Sequence, residues 1–281
     1  MNLYSNYSSL QAAVNGTADG DILQLPANPI AITAPVTITK RISIQGTNKD
    51  VSLITVPAGQ DGLVISAEAV VHFSGFGLVG TYQTGSGALI RMESAYGNSI
   101  FRDLNLLYGF DQLVIQPSGS THLVDGCWCQ QYMHSGITVA GGDDHSIISC
   151  TIDSGQPNAV GILYSGTGGG LRINNTKVLG GEMSVMVSFA SNMADGDFLI
   201  TGCSFENATY GVFITAAQGA AFGNILLTGN EIAASQYALA SFPTSTGNWI
   251  RNFLTTGNMF SGKVSVAGVS SGYTNTGNVV I

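Results

Sequence analysis

Charge is what this 281-residue chain has least of: charged residues make up 9%, against roughly a quarter in ordinary soluble domains. The nine Lys and Arg are scattered with no run of three, and the net charge is −8. The electrostatic footprint of a nucleic-acid binder is therefore missing. No stretch reaches eighteen apolar residues, and the first twenty residues have neither a basic n-region nor an apolar h-region. Neither membrane insertion nor a signal peptide is expected. Four cysteines, at 127, 129, 150 and 203, are too few to staple a chain of this size and lack CxxC spacing. They are expected as buried thiols, and neither a metal nor a cofactor is expected.

Glycine and apolar residues are abundant, at 37 residues and 44%, which describes turns joining packed strands. An eight-residue motif recurs at 71–78, 99–106, 122–129, 145–152, 171–178, 198–205, 225–232 and 253–260, with successive intervals of 28, 23, 23, 26, 27, 27 and 28. Its first, third, sixth and eighth positions are predominantly apolar or small. Helical repeats need long stretches of 3.6-residue period, and none is present. A period in the twenties built from short strands predicts a solenoid whose coils stack at about 4.8 Å. Each copy then reads as two strands around a corner. Its sixth position, Phe76, Leu104, Cys127, Cys150, Thr176, Cys203, Asn230 and Asn258 in turn, forms an internal ladder. A second strand class sits about ten residues before the motif, at 62–65, 87–90, 112–115, 136–139, 161–164, 211–214 and 237–240. The expected fold is all-β: one domain over 1–281 with about ten coils of three strands, a short N-terminal capping helix and first strand within 1–35, and coils over 36–281.

The opening segments SLQAAV (9–14), GDILQLP (20–26), VTI (36–38) and ISIQG (42–46), together with the repeat, resemble the pectate-lyase-like superfamily of right-handed parallel β-helices. That superfamily includes polysaccharide lyases, polygalacturonase-type hydrolases and phage tailspikes. The resemblance implies the fold and does not select an activity. It also implies that ligands lie along the outward face of the second strand class. Val64, Leu89, Val114, Leu163, Met186, Phe213 and Leu239 are expected outward there, an apolar stripe that a partner or the chain's own loops would have to cover.

The best acid–base cluster is Asp143, Asp144 and His145 after Gly141 and Gly142. It partly resembles the Gly-Asp-Asp motif of polygalacturonase-type hydrolases, although the family's other motifs are missing and Gly-Gly-Asp-Asp is also an ordinary turn. Glycoside hydrolysis needs two carboxyl groups, so Asp111, Asp153 and Glu93 are candidate partners. Trp128, Gln131, Tyr132 and His134 offer a sugar platform of aromatic faces and hydrogen-bonding groups, with a purely structural turn as the alternative. Stacked His122 and His145 read as core residues, and Asp195 with Asp197 lacks a third carboxylate for Ca²⁺.

Two functions from different classes follow. One is a virion or cell-surface structural protein of tailspike-like fold, assembled as a homo-oligomer, most plausibly a trimer, or with other virion proteins, and touching polysaccharide. The other is a carbohydrate-active enzyme on a neutral or weakly charged polysaccharide, a hydrolase ahead of a lyase.

Overall fold

The computed structural model describes residues 1–81, 85–93, 97–116, 121–142, 144–166, 169–189, 196–216, 222–243, 250–269 and 273–281. The motif's leading strands stack in parallel into one 12-stranded sheet. Its trailing strands and the second strand class together make an 18-stranded sheet. The chain is thus a parallel β-solenoid. Its well-formed turns number about eight, slightly fewer than the ten expected, with looser turns at both ends. The helix Leu10–Gly16 caps the first turn. Its N-cap, Ser9, accepts the Ala12 N–H at 3.1 Å, and Leu10, Ala13 and Val14 are buried.

Alternation sets the core. In the strand Val71–Ser74, Val71 and Phe73 are buried while His72 is exposed, and Leu171–Asn174 repeats that pattern with Arg172 outside. Between the motif's two strands the backbone turns through the left-handed region. Gly229 has φ +63°, and a Cβ there would meet nothing within 4 Å. Conformation, not space, is what favours glycine at this corner. Asp103, Ser149 and Asn175 take the same corner in other coils at φ 49°, 54° and 49°.

The sixth-position ladder is buried throughout, from Phe76 to Asn258. Asn258 Oδ1 accepts the Asn230 N–H at 2.9 Å while its Nδ2 donates to the Leu227 carbonyl at 2.9 Å. Asn230 does the same for Cys203 and Ile200. These amides hold corner groups that strand pairing leaves unbonded. Cys127, Cys150 and Cys203 fill the slot as buried free thiols.

From Ser204 onward the trailing strand and the second-class strand run together as single bent strands, Ser204–Ala216 and Glu231–Pro243. Register shifts flanking Ala208, and between Ala233 and Leu239, mark the bends as β-bulges.

Candidate functional site

Pairing register fixes which side chains share the outward face of the second strand class. One row runs Asp111, Ser135, Val160, Met183, Tyr210, Tyr237. The next runs Val64, Arg91, Val114, Thr138, Leu163, Met186, Phe213, Ala240. This corrects two expected stripe members. Leu89 and Leu239 point inward, at 2% and 0% exposure, and Arg91 and Ala240 take their places. The segment 237–240 is slipped by one residue relative to the expected alignment, which turns its alternate side chains to the opposite face. The segment 87–90 is slipped by two, with Gly87 in the loop before its strand; that slip alone would keep the face, but Leu89 is skipped in the pairing between Ala88 and Ile90 and joins the core. Val64, Leu163, Met186 and Phe213 remain partly exposed and Val114 is buried. Arg91 and Thr138 break what would have been a continuous apolar stripe.

At the polar end of this face lies a compact acid–base cluster. Asp111 Oδ1 accepts from His134 Nδ1 at 2.7 Å and from the Ser135 hydroxyl, and Ser135 in turn meets Thr138 Oγ1 at 2.7 Å. The Asp111 side chain is only 16% exposed whereas that of His134 is 48% exposed. The His134 ring lies flat on Phe110, with centroids 5.2 Å apart and planes at 8°. The hydrogen bond to Asp111 raises the imidazole's affinity for its proton, against a smaller opposing effect of burial. Because Nδ1 is committed to Asp111, Nε2 is the nitrogen presented to a ligand.

Beside this pair, Arg91 makes a two-pronged contact with Asp61, Nε to Oδ2 at 2.8 Å and Nη2 to Oδ1 at 3.0 Å. Burial alone would raise the Asp61 carboxyl, but the Arg91 and Ala88 hydrogen bonds hold it below the usual carboxylate range. Asp111 and Glu93 both add to the field that keeps Arg91 charged. In a chain this poor in charge, five ionisable groups on one face can orient a sugar, neutralise an anion and pass a proton.

Within the expected Asp143–Asp144–His145 cluster, Asp144 and His145 are not brought together. Asp143 lies outside the described residues. His145 is 1% exposed and faces the core, where its ring stacks on His122 at 5.1 Å and 8°. His145 Nδ1 accepts the His122 N–H at 3.2 Å, and His122 Nδ1 accepts the Ser99 N–H at 3.1 Å. Both rings therefore carry the proton on Nε2 and act as structural acceptors. Burial first, and the neighbouring His145 second, push the His122 pKa down to about 4.

Asp144 is half-exposed on the outside of the 12-stranded sheet, 3.1 Å from Arg172. It lines a groove of about 460 Å³ with Asp197, Asn224, Arg251 and Asn252. Asn252 donates to Asn224, and Asn224 to Asp197, each at 2.6 Å. The carboxylate sharing this groove is Asp197. Asp111 and Glu93 lie on the second-class face, and Asp153 lies on the trailing strand Thr151–Asp153. Asp144 and Asp197 are two coil steps apart, about 9.6 Å from the strand spacing. Both are exposed acceptors, an arrangement that suits hydroxyl binding better than proton donation.

The expected sugar platform also divides. Trp128 is 41% exposed and Tyr132 is fully buried. Gln131 sits at a left-handed corner with φ 54°, and His134 belongs to the cluster above. Asp61 and Ser135 were not picked out from the sequence, and Asp197 was weighed only as a Ca²⁺ ligand, yet the signal was present. Asp111 with Ser135, and Asp197 with Asn224, are one coil period apart and so occupy neighbouring rungs.

Sequence and structure comparisons agree on the fold. The family described as "Right handed beta helix region" matches residues 86–255, more than half of the chain. No curated protein matches the chain by sequence. Among solved structures, the catalytic domain of a GH87 alpha-1,3-glucanase in complex with tetrasaccharides is similar at TM-score 0.66 and 13% identity, over 99% of this chain and 65% of that one. The A-module of an Azotobacter vinelandii mannuronan C-5 epimerase is similar at TM-score 0.55 and 11% identity, over 100% and 95%. Tailspike protein 3 of bacteriophage CBA120 is similar at 0.50 and 11%, over 100% and 57%. The chain thus spans just under two thirds of the glucanase domain's length.

Proposed function

The chain belongs to the right-handed β-helix family, and on that premise we propose that it acts on polysaccharide, seating the glycan on the outward face of the second strand class. The observation that carries this reading is the Asp111–His134 pair: a largely buried carboxylate orienting a half-exposed imidazole beside the Arg91 cation. Its location agrees with where the superfamily resemblance puts ligands. Structural neighbours named for glucan and mannuronan chemistry support the substrate class. His134, whose hold on its proton Asp111 strengthens, delivers its Nε2 proton to the leaving glycosidic oxygen as water attacks the anomeric carbon. The attacking water gives its proton to solvent, because Glu93 lies two coils and about six residues along the strand from His134, beyond the spacing a paired base would need. A glycan array paired with a reducing-end assay tests this. Recognition of a glycan and release of reducing ends, both lost in His134→Gln, is expected. Silence of the wild-type protein on both would overturn it.

A second reading, a tailspike-like structural protein of a virion or extracellular surface assembled as a homotrimer or with other virion proteins, is favoured by one observation. Leu163, Met186 and Phe213 leave adjoining apolar surface partly exposed on three successive coils. Sedimentation separates the two readings: a trimer without reducing-end release supports the structural role.

A further inference from the structure

Four coil steps beyond Asp111, about 19 Å along the axis, the same outward row changes character. Tyr210 and Tyr237, on neighbouring rungs, stack with centroids 6.0 Å apart and planes at 6°. Phe213 meets Tyr210 edge-on at 5.2 Å, and Phe242, 38% exposed, meets Tyr237 edge-on at 5.6 Å. Where bulges fuse the two strand classes, a groove of about 480 Å³ is lined by residues just before each tyrosine, 207–209 ahead of Tyr210 and 233–235 ahead of Tyr237. Asn207, Thr209, Ser235 and Ser261 supply its polar lining and Ala208, Ala233 and Ala234 the rest. Among the described residues no charged side chain lines it. Bulges recur where a sheet re-aims side chains for function, and these two put amide and hydroxyl groups in the strand segments that lead directly into the aromatic pair.

We propose that this groove and the Tyr210–Tyr237 wall form a binding subsite for a neutral oligosaccharide. The chemistry selects that occupant. A sugar ring offers an apolar C–H face to an aromatic plane and hydroxyls to amides and alcohols around its edge. A polyanion would compete for Lys263, whose ammonium already lies 5.7 Å over the Tyr237 ring. An apolar peptide would have to desolvate Asn207, Thr209, Ser235 and Ser261 without ionic compensation. The subsite stands on its own geometry, whether or not the Asp111–His134 pair performs catalysis.

The test is a panel of neutral glycans, with oligomannuronate as the anionic control, titrated against the wild-type protein, Tyr237→Ala, Tyr237→Phe and His134→Gln. At least one neutral oligosaccharide should bind, tenfold or more weakly in Tyr237→Ala, with near wild-type affinity in Tyr237→Phe, and the anionic control should gain nothing from the wall. An unchanged melting temperature in Tyr237→Phe keeps the comparison valid if the alanine variant is destabilised. No neutral binder in the panel, or equal affinity in wild type and Tyr237→Ala, overturns the subsite. So does a wild-type oligomer that Tyr237→Ala dissolves without any effect on glycan. Loss of turnover in His134→Gln with binding unmoved by Tyr237→Ala would remove the subsite and leave the catalytic reading; the reverse pattern would remove that reading alone.

Discussion

Acidification should destabilise this solenoid through one identifiable residue. His122 is completely buried, stacked on a second imidazole, and occupied at Nδ1 by the Ser99 N–H. Its pKa in the folded protein is about 4, against about 6.5 for an unfolded chain. Between those values the unfolded state binds the proton and the folded state does not. Stability from His122 is therefore fully present above about pH 6.5 and is lost as pH falls toward 4. A difference of about 2.5 units corresponds to about 3 kcal/mol. The control is His122→Asn, whose Oδ1 can still accept the Ser99 N–H, as asparagines do elsewhere in this fold, but which cannot titrate. Urea unfolding of both proteins at several pH values from 7 to 4 gives the difference in stability. The gap between them should shift by about 3 kcal/mol against the wild type over that range. His134 is common to both proteins, so its own titration cancels. A gap constant within about 0.5 kcal/mol would refute the assignment of His122 as a buried neutral acceptor.

Four other outcomes follow from the same geometry. Replacing Asn258 by Ala orphans the Asn230 N–H and the Leu227 carbonyl inside the ladder and should cost about 3 kcal/mol by denaturant titration; a loss under about 1 kcal/mol would mean water repairs the gap. Gly229→Ala should cost about 1–2 kcal/mol through its left-handed backbone alone, with Gly229→Asn costing less, and equal losses would contradict a conformational cause. All four thiols should resist a maleimide in the native protein and react on unfolding, since all four are buried; burial also pushes the Cys203 thiol up to about 11 and that of Cys129 well above its usual value, and the Cys150 contact, with burial second, does so for Cys127. Turnover that uses protonated His134 should fall as pH rises through its raised pKa, and should drop about 10²–10⁴-fold in Asp111→Asn or His134→Gln with unchanged circular dichroism.

Much of the scaffold was legible because a solenoid writes its geometry into spacing. The interval of 23 to 28 residues, the Thr-Gly-Asn corners at 228–230 and 256–258, and the alternation around Val71 or Leu171 sufficed for coils and ladder. Register was less legible where glycine was taken as the anchor of the second strand class. Gly87 belongs to a loop, and Tyr237 stacks on Tyr210 instead of lying one position further on, so Leu89 and Leu239 were turned outward in the sequence reading. The site was harder still, for a physical reason. Asp111 and His134 are 23 residues apart and touch only because 23 is one turn of the helix here. They were read as members of two different sites. The same arithmetic joins Tyr210 to Tyr237 and Asp197 to Asn224. His145 failed as a catalytic candidate for the opposite reason, since its position within the motif already placed it inside.

The central claim is that glycan is engaged at the Asp111–His134 cluster, and the chain's four histidines make it directly observable. The imidazole proton resonances of His72, His122, His134 and His145, assigned by single substitutions, can be followed as the oligosaccharide selected on the glycan array is titrated in. His134, half-exposed and presenting Nε2, should shift with saturation while buried His122 and His145, and His72 on the 12-stranded sheet, stay fixed. A saturating glycan that moves His72 and leaves His134 unmoved would contradict the account.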